Sequence, residues 1–316
     1  MTDLIESTLR GLDGRLGRRI SKPGDDRYRS ATAIWAKPVG PMPRTVVHCR
    51  SIQDVQLAIA AARSAGLSLS VRGGGHDWAG RALCDGLVLD LSDMRDVVVN
   101  PDRRSARVSG GARAMDVLAA TDPLGLAVVT GSCSAVGMAG LTLGGGYGPL
   151  IGRFGRALDN LIAADVVLAD GRFVTAEVGR EEDLFWALRG GGGNFGVVTA
   201  MRVRLHEMPN VVSGVLAYPF SEAKTVLLRR YADAAPFMPV ILIVPTWSGP
   251  QDRGDAHIAP LAASSIPRRL ASQLRSQLLT MSGFPTSEKL GLQRTVALTT
   301  PTLRTTRCLP AANTFP

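Results

Sequence analysis

Three glycine-rich loops hold the residues that could do chemistry. The first runs Arg72-Gly73-Gly74-Gly75-His76 and on to Gly80. The second runs from Gly131 through Cys133, Val136, Gly137 and Gly140 to Gly144-Gly145-Gly146-Tyr147-Gly148, and the third is Gly190-Gly-Gly-Gly193-Asn-Phe-Gly196. Consecutive glycines turn successive backbone N–H groups inward, a concave nest that holds an anion such as pyrophosphate without any side chain. His76 stands directly behind such a nest. Residues 191–196 also spell G-x-G-x-x-G, but a helix precedes them and a strand follows, whereas the dinucleotide fingerprint needs strand, loop, helix. A Rossmann reading is rejected, and the absence of G-K-[ST] removes a P-loop.

The elements that position these loops follow from periodicity and punctuation. Residues 45–49 read as a strand, Ser51 as the N-cap of a helix reaching about residue 64, and Gly66 as its stop. Strands are expected at 67–72, 87–91, 97–100 paired with 106–109, 126–130 and 197–205. Helices are expected at 112–120 and 181–188, and a hairpin over 162–175 on a two-residue Asp170-Gly171 turn. From Pro209 the pattern resets to strand 211–218, helix 221–234, strand 241–246 and a helix near 255–264. Beyond 267, thirteen of fifty residues are Ser or Thr, one is acidic, and no period outlasts one turn. The layering is α+β.

Composition removes several classes of function. At 316 residues the chain has room for about two domains, and 45% hydrophobic with 20% charged residues is ordinary for a globular protein. Four cysteines without C-x-x-C spacing argue against a zinc knuckle, a redox pair or a disulfide framework. His48, His206 and His257 share no metal-ligand spacing and read as structural. The net charge of +9 is dispersed, with more than half in residues 251–316, so nucleic acid is not an expected partner. The longest apolar stretches, such as 240–244, fall far short of the roughly 20 residues of a membrane span. The first twenty residues hold no apolar export core, so the expected compartment is the cytoplasm.

Taken together, R-G-G-G-H at 72–76, the string G-x-C-x-x-V-G-x-x-G-x-x-L-G-G-G-x-G at 131–148, Gly155-Arg-Ala-Leu-Asp-Asn160, Val167-Leu-Ala-Asp-Gly171 and the run from Asp183 to Val198 resemble one family. It is the vanillyl-alcohol-oxidase superfamily of flavoproteins, with an FAD-binding domain of the p-cresol-methylhydroxylase type, and within it the berberine-bridge-enzyme-like oxidases. The resemblance implies a two-subdomain FAD-binding domain at 35–208 and an incomplete α+β substrate domain at 209–266. Residues 1–34 are left as an N-terminal segment and 267–316 as an atypical tail, disordered or read out of frame.

The same resemblance assigns roles. Arg72, Gly73, Gly74, Gly75 and Gly80 would bind the FAD pyrophosphate; Val136, Gly137, Gly140, Gly144, Gly145, Gly146 and Gly148 would lie along the isoalloxazine; the 190s loop and Val198 would line the other side. His76 would form an 8α-histidyl bond to FAD, since a neutral imidazole is a nucleophile near pH 7; the bland alternative is a histidine hydrogen-bonded in a loop. Cys133 would form a second tether at flavin C6 or else be a buried, inert thiol, and Cys49 and Cys84 read as core or surface thiols. Val136 would admit oxygen, or simply pack, and Tyr147 reads first as a core tyrosine and second as a group reaching flavin or substrate.

The function so implied is an FAD-dependent oxidase. It would pass a hydride from an alcohol or amine carbon of a small molecule to covalently bound flavin, with molecular oxygen as acceptor. In similar oxidases a Tyr or Glu base stands on the substrate domain, whose C-terminal stretch residues 267–316 do not match. The alternatives are a truncated flavin-binding remnant without turnover and a basic nucleic-acid-binding protein. The catalytic base, the substrate and the oligomeric state are left open.

Overall fold

A computed structural model describes residues 2–35 and 42–208, the strands at 212–219, 240–243, 246–247 and 268–272, and the single positions Arg253 and Ala256. Described residues up to His206 form one compact unit, those from Glu207 a second. The first unit opens with α1 (Thr2–Leu16), β1 (Ile20–Ser21) and α2 (Asp26–Thr32), followed by β2 (Thr45–His48), α3 (Ile52–Ala65), β3 (Leu69–Arg72) and β4 (Leu87–Asp90). Their strands lie in the order β1-β2-β4-β3, with β2, β4 and β3 mutually parallel and β1 antiparallel at the edge.

Parallel strands buried on both faces read as unbroken apolar runs, as β2 and β4 do. On one face Val47, Leu87 and Leu89 meet Val55, Ala58, Ile59 and Ala62 of α3; on the other Val46 and Val88 meet Tyr28 and Ala31 of α2. The cap expected at Ser51 is present, its Oγ accepting from the Asp54 N–H at 3.2 Å, and Gly66 ends the helix. Residues 2–34, within the stretch set apart by sequence as a leading segment, belong to this layer: Leu12 and Leu16 of α1 are buried in the same cluster as α3, with Leu9 packed beside them.

A second sheet follows from β5 (Val97–Val99) and β6 (Ser105–Ser109), then α4 (Ala114–Thr121), β7 (Leu126–Ala127), α5 (Met138–Leu143), α6 (Ile151–Phe154), β8 (Leu161–Val167), β9 (Phe173–Glu177), α7 (Glu182–Leu188) and β10 (Val197–Arg204). The order β5-β6-β10-β8-β9 is antiparallel throughout and puts β10 at its centre. Val117, Met138, Leu143, Phe185 and Leu188 of the helices close over Val108, Val166 and Met201. Two expectations are corrected here. The 162–175 hairpin turns on three residues rather than two: Gly171 N–H bonds Leu168 O, Leu168 N–H bonds Arg172 O, and Gly171 takes φ +89°, the residue of a G1 bulge. The strand expected at 126–130 enters a ladder only at Leu126 and Ala127, although Val128–Thr130 are buried.

The chain passes through β11 (His206–Glu207) into the second unit. There β12 (Val212–Pro219) pairs antiparallel with β13 (Val240–Ile243), β14 (Thr246–Trp247) and β15 (Arg268–Ser272). The helix expected at 221–234 and, Ala256 apart, the one near 255–264 lie outside the described residues. Strand β15 lies at the start of the stretch that the sequence sets apart as an atypical tail, disordered or read out of frame; residues 273–316 lie outside the described ones. Among the described residues no helix is long and apolar enough to cross a membrane.

Candidate functional site

The first loop leaves β3 at Arg72, whose Nη1 donates to Asp90 Oδ1 at 3.0 Å across the β3–β4 register. Its guanidinium lies beneath Gly75, where an added Cβ would fall 2.8 Å from Nη2. Trp35 N–H donates to Gly75 O at 2.8 Å, and the Trp35 ring stacks on His76 with centroids 4.4 Å apart and planes at 13°. Trp78 stands third in this array, 6.4 Å from His76 and 75% exposed. Burial lowers the His76 pKa below its ordinary value, so the imidazole is neutral at pH 7. Beyond it the Asp77 carboxylate accepts Ala79 and Ala82 N–H, shaping the turn at Gly80.

The first and second loops meet backbone to backbone. A Cβ on Gly74 would fall 2.7 Å from Gly137 Cα and closer still to its nitrogen, so neither position has room for a side chain. Gly73 approaches Gly110 O more loosely. Residues 133–138 are held against 112–115 by Ala114 N–H to Val136 O (2.9 Å), Met115 N–H to Ser134 O (3.0 Å) and Met138 N–H to Ala112 O (2.9 Å). Cys133 and Val136 are half-buried within that loop.

After α5, Gly144 caps the helix, Gly145 O and Gly146 O accept Leu158 and Ala157 N–H, and Gly148 presses on Thr130 O. The third loop joins there, Gly190 and Gly192 N–H both donating to Leu143 O at 3.1 Å. The three loops therefore form one connected surface. Tyr147 is 78% exposed, which corrects its reading as a core residue, whereas Val198 is buried on β10 among core side chains. Cys49 is buried with its thiol pKa pushed up by burial and then by Asp54, and half-buried Cys84 donates to Leu87 O.

Two features fit an anionic ligand. Arg72 Nε and Arg113 Nε are buried without a hydrogen-bond partner among the described residues, and a buried polar group left unmade is expensive. Burial above all, then the neighbouring Arg95 and Arg72, lowers the Arg113 pKa against the opposing pull of Asp116 and Asp90. In addition Gly140, inside α5, is exposed and faces open space, with nothing within 4 Å of an added Cβ. Glycine in a helix interior is about 1 kcal/mol worse than alanine, so packing does not explain it. Gly140→Ala is expected to stabilise the ligand-free chain by about 0.5–1 kcal/mol in urea unfolding; a lower midpoint would show the position to be crowded. Sequence reasoning missed Trp35, Trp78 and Arg113.

Residues 43–177 match a family described as the FAD binding domain. The chain is 38% identical over 215 residues to (R)-6-hydroxynicotine oxidase of Paenarthrobacter nicotinovorans, covering 67% of this chain and 47% of that protein. Among solved structures, 6-hydroxy-D-nicotine oxidase of Arthrobacter nicotinovorans is similar with a TM-score of 0.73 at 30% identity, over 82% of this chain and 62% of that one. Physcomitrella patens BBE-like 1 is similar with 0.74 at 26% identity, over 84% and 62%. This chain spans about half the length of the curated relatives it matches.

Proposed function

We propose, from the premise that the chain belongs to the FAD-linked oxidoreductases, that it binds FAD along the three loops and oxidises a small alcohol or amine with oxygen as acceptor. The observation that carries the reading is the Gly74–Gly137 contact, which joins a glycine nest and His76 to the loop of Cys133 and Val136 beside two unpaired buried arginine nitrogens. When bound, FAD would supply the two-electron acceptor for oxidation of the substrate carbon, with oxygen as the terminal acceptor.

The chain's own residues do the rest. Arg72 and Arg113 offer buried N–H donors and positive charge to the diphosphate, and Gly73–Gly75 and Gly80 let backbone amides approach it. Gly140, which faces open space, keeps a side chain away from the ring, whereas Gly137, Gly144, Gly146 and Gly148 are closed against the chain itself and shape the loop around it, and buried Val198 supports the sheet beneath. His76 would offer a neutral nucleophilic nitrogen, in a ring plane set by Trp35, to the flavin 8α carbon, and Cys133 a sulfur to C6; each bond would release a proton and leave its two electrons on the flavin, from which oxygen would remove them. Val136 leaves oxygen a path.

Acid precipitation tests this directly. In a Cys133→Ala background the pellet stays yellow through His76 alone, and adding His76→Ala releases the flavin to the supernatant in full; a yellow pellet from the double variant overturns the His76 tether. Gly140→Ala, although stabilising when flavin-free, should weaken FAD uptake, a trade-off typical of sites kept open for a ligand. Peroxide release is then measured over amines, alcohols and sugars, with amines first because of the likeness to (R)-6-hydroxynicotine oxidase. Flavin retention without turnover would favour the remnant reading.

A further inference from the structure

One polar rung crosses the first sheet. The parallel strands β2, β4 and β3 read Thr-Val-Val-His, Leu-Val-Leu-Asp and Leu-Ser-Val-Arg, and in register their last residues, His48, Asp90 and Arg72, are direct neighbours. All three are buried, as is Ser21 on β1. Ser21 Oγ lies 2.8 Å from His48 Nε2, and His48 Nδ1 lies 3.2 Å from Asp90 Oδ2. A carboxylate can only accept, so Nδ1–H donates to Asp90, and Nε2 shares the second bond with the Ser21 hydroxyl. Ser92 adds its N–H to Asp90 Oδ1 at 3.1 Å and its hydroxyl to Oδ2 at 3.0 Å. With the Arg72 guanidinium at 3.0 Å, both carboxylate oxygens are saturated and the carboxylate plane cannot rotate.

Such a rung is a costly thing to build in a sheet whose other buried residues are apolar or hydroxyl-bearing and carry no charge. Buried ionic groups seldom stabilise a fold relative to apolar ones of the same volume, so their presence calls for another reason. The rung ends on the residue from which the glycine loop departs, and the guanidinium it fixes is the floor under Gly75, one residue before His76. Trp35 holds Gly75 from outside through its carbonyl.

We propose that Asp90 and His48 are positioning residues for His76: the rung Ser21–His48–Asp90–Arg72 locks the floor of the first loop and so sets where the imidazole stands. This rests on the reading of His76 as the flavin tether and adds to it residues that touch neither flavin nor substrate.

The test uses the full chain prepared without flavin. FAD is added, acid-stable flavin is sampled over time, and the Kd for FAD is measured separately by flavin fluorescence. Asp90→Asn and His48→Leu should slow attachment by roughly 10- to 100-fold, the scale expected when a reacting group is misplaced by about 1 Å, while the Kd moves far less. His48→Asn, whose amide N–H replaces Nδ1–H, should keep the rate within about threefold of wild type. In flavin-free protein the emission of Trp35, covered by His76, should move in Asp90→Asn and His48→Leu toward that of His76→Ala. Wild-type attachment rates with unchanged emission in both variants overturn the proposal. In a Cys133→Ala background, where His76 is the sole proposed tether, a His76→Ala chain that still holds flavin through acid overturns the tether instead, and the emission result then decides the rung. Should Asp90→Asn fail to fold, Ser21→Ala, which removes one hydroxyl at the far end, decides: slowed attachment with shifted emission supports the rung, and a wild-type profile in both overturns it.

Discussion

Gly74→Ala is expected to unfold the first unit or leave it barely folded. The new methyl would fall on the backbone of Gly137, with the Ala135 carbonyl 3.0 Å away on another side. A flexible side chain could swing aside, but these are main-chain atoms held by the ladder of 112–115 against 133–138. Overpacking commonly costs 1–3 kcal/mol, and a backbone collision belongs at or above about 3 kcal/mol. Gly137→Ala should behave alike, because its Cβ would fall 3.0 Å from Gly74 Cα and nearer its nitrogen. Urea midpoints of both variants, set beside that of Gly140→Ala, provide the check. A wild-type midpoint for Gly74→Ala would mean that the loops do not touch, and the cofactor reading would lose its carrying observation.

Arg72→Ala carries the second large effect, about 3–5 kcal/mol at pH 7, the usual penalty for removing one partner of a buried ion pair. In the intact chain burial alone would raise the Asp90 pKa, but the hydrogen bond from His48, the charge of Arg72 and the bonds from Ser92 outweigh it and hold the carboxyl below its ordinary value. A depressed carboxyl adds stability that is present above its unfolded pKa and lost as pH falls through the folded one. Without Arg72 the balance tips toward burial, and the Asp90 pKa rises. The deficit should therefore be greatest at neutral pH and shrink on acidification as the stranded carboxylate takes up a proton. Urea unfolding at pH 7 and pH 4.5 distinguishes this from loss of packing, which would give equal deficits at both.

Much of the fold was legible. Ser51, Gly66 and the apolar spacing between them mark α3 without help from the rest of the chain, and the apolar runs of β2 and β4 announce buried strands. The α1 face at Leu9, Leu12 and Leu16 carried the same helical spacing and was passed over because no cap or loop of interest stood beside it. The loops were legible as loops, but glycine has no periodicity, so nothing local in the sequence joins Gly74 to Gly137. Trp35 stacks on His76 only through tertiary contact. The polar rung did leave a trace, a titratable residue closing each of three largely apolar strands, and it becomes informative only once the register aligns them. At Asp170-Gly171 the dipeptide identified the turn but not its length, since the same glycine serves a two-residue turn or the bulge of a three-residue one.

The central position of β10 in the second sheet bears on how the chain is made. Strands β6 and β8 flank it, yet it is the last of the five to leave the ribosome. Until residue 204 has emerged, the two hairpins on either side have no shared partner, and their facing edges are exposed to other nascent chains. Folding of this unit is thus governed by a late, long-range insertion, slow by the logic of contact order and suited to chaperone protection during translation.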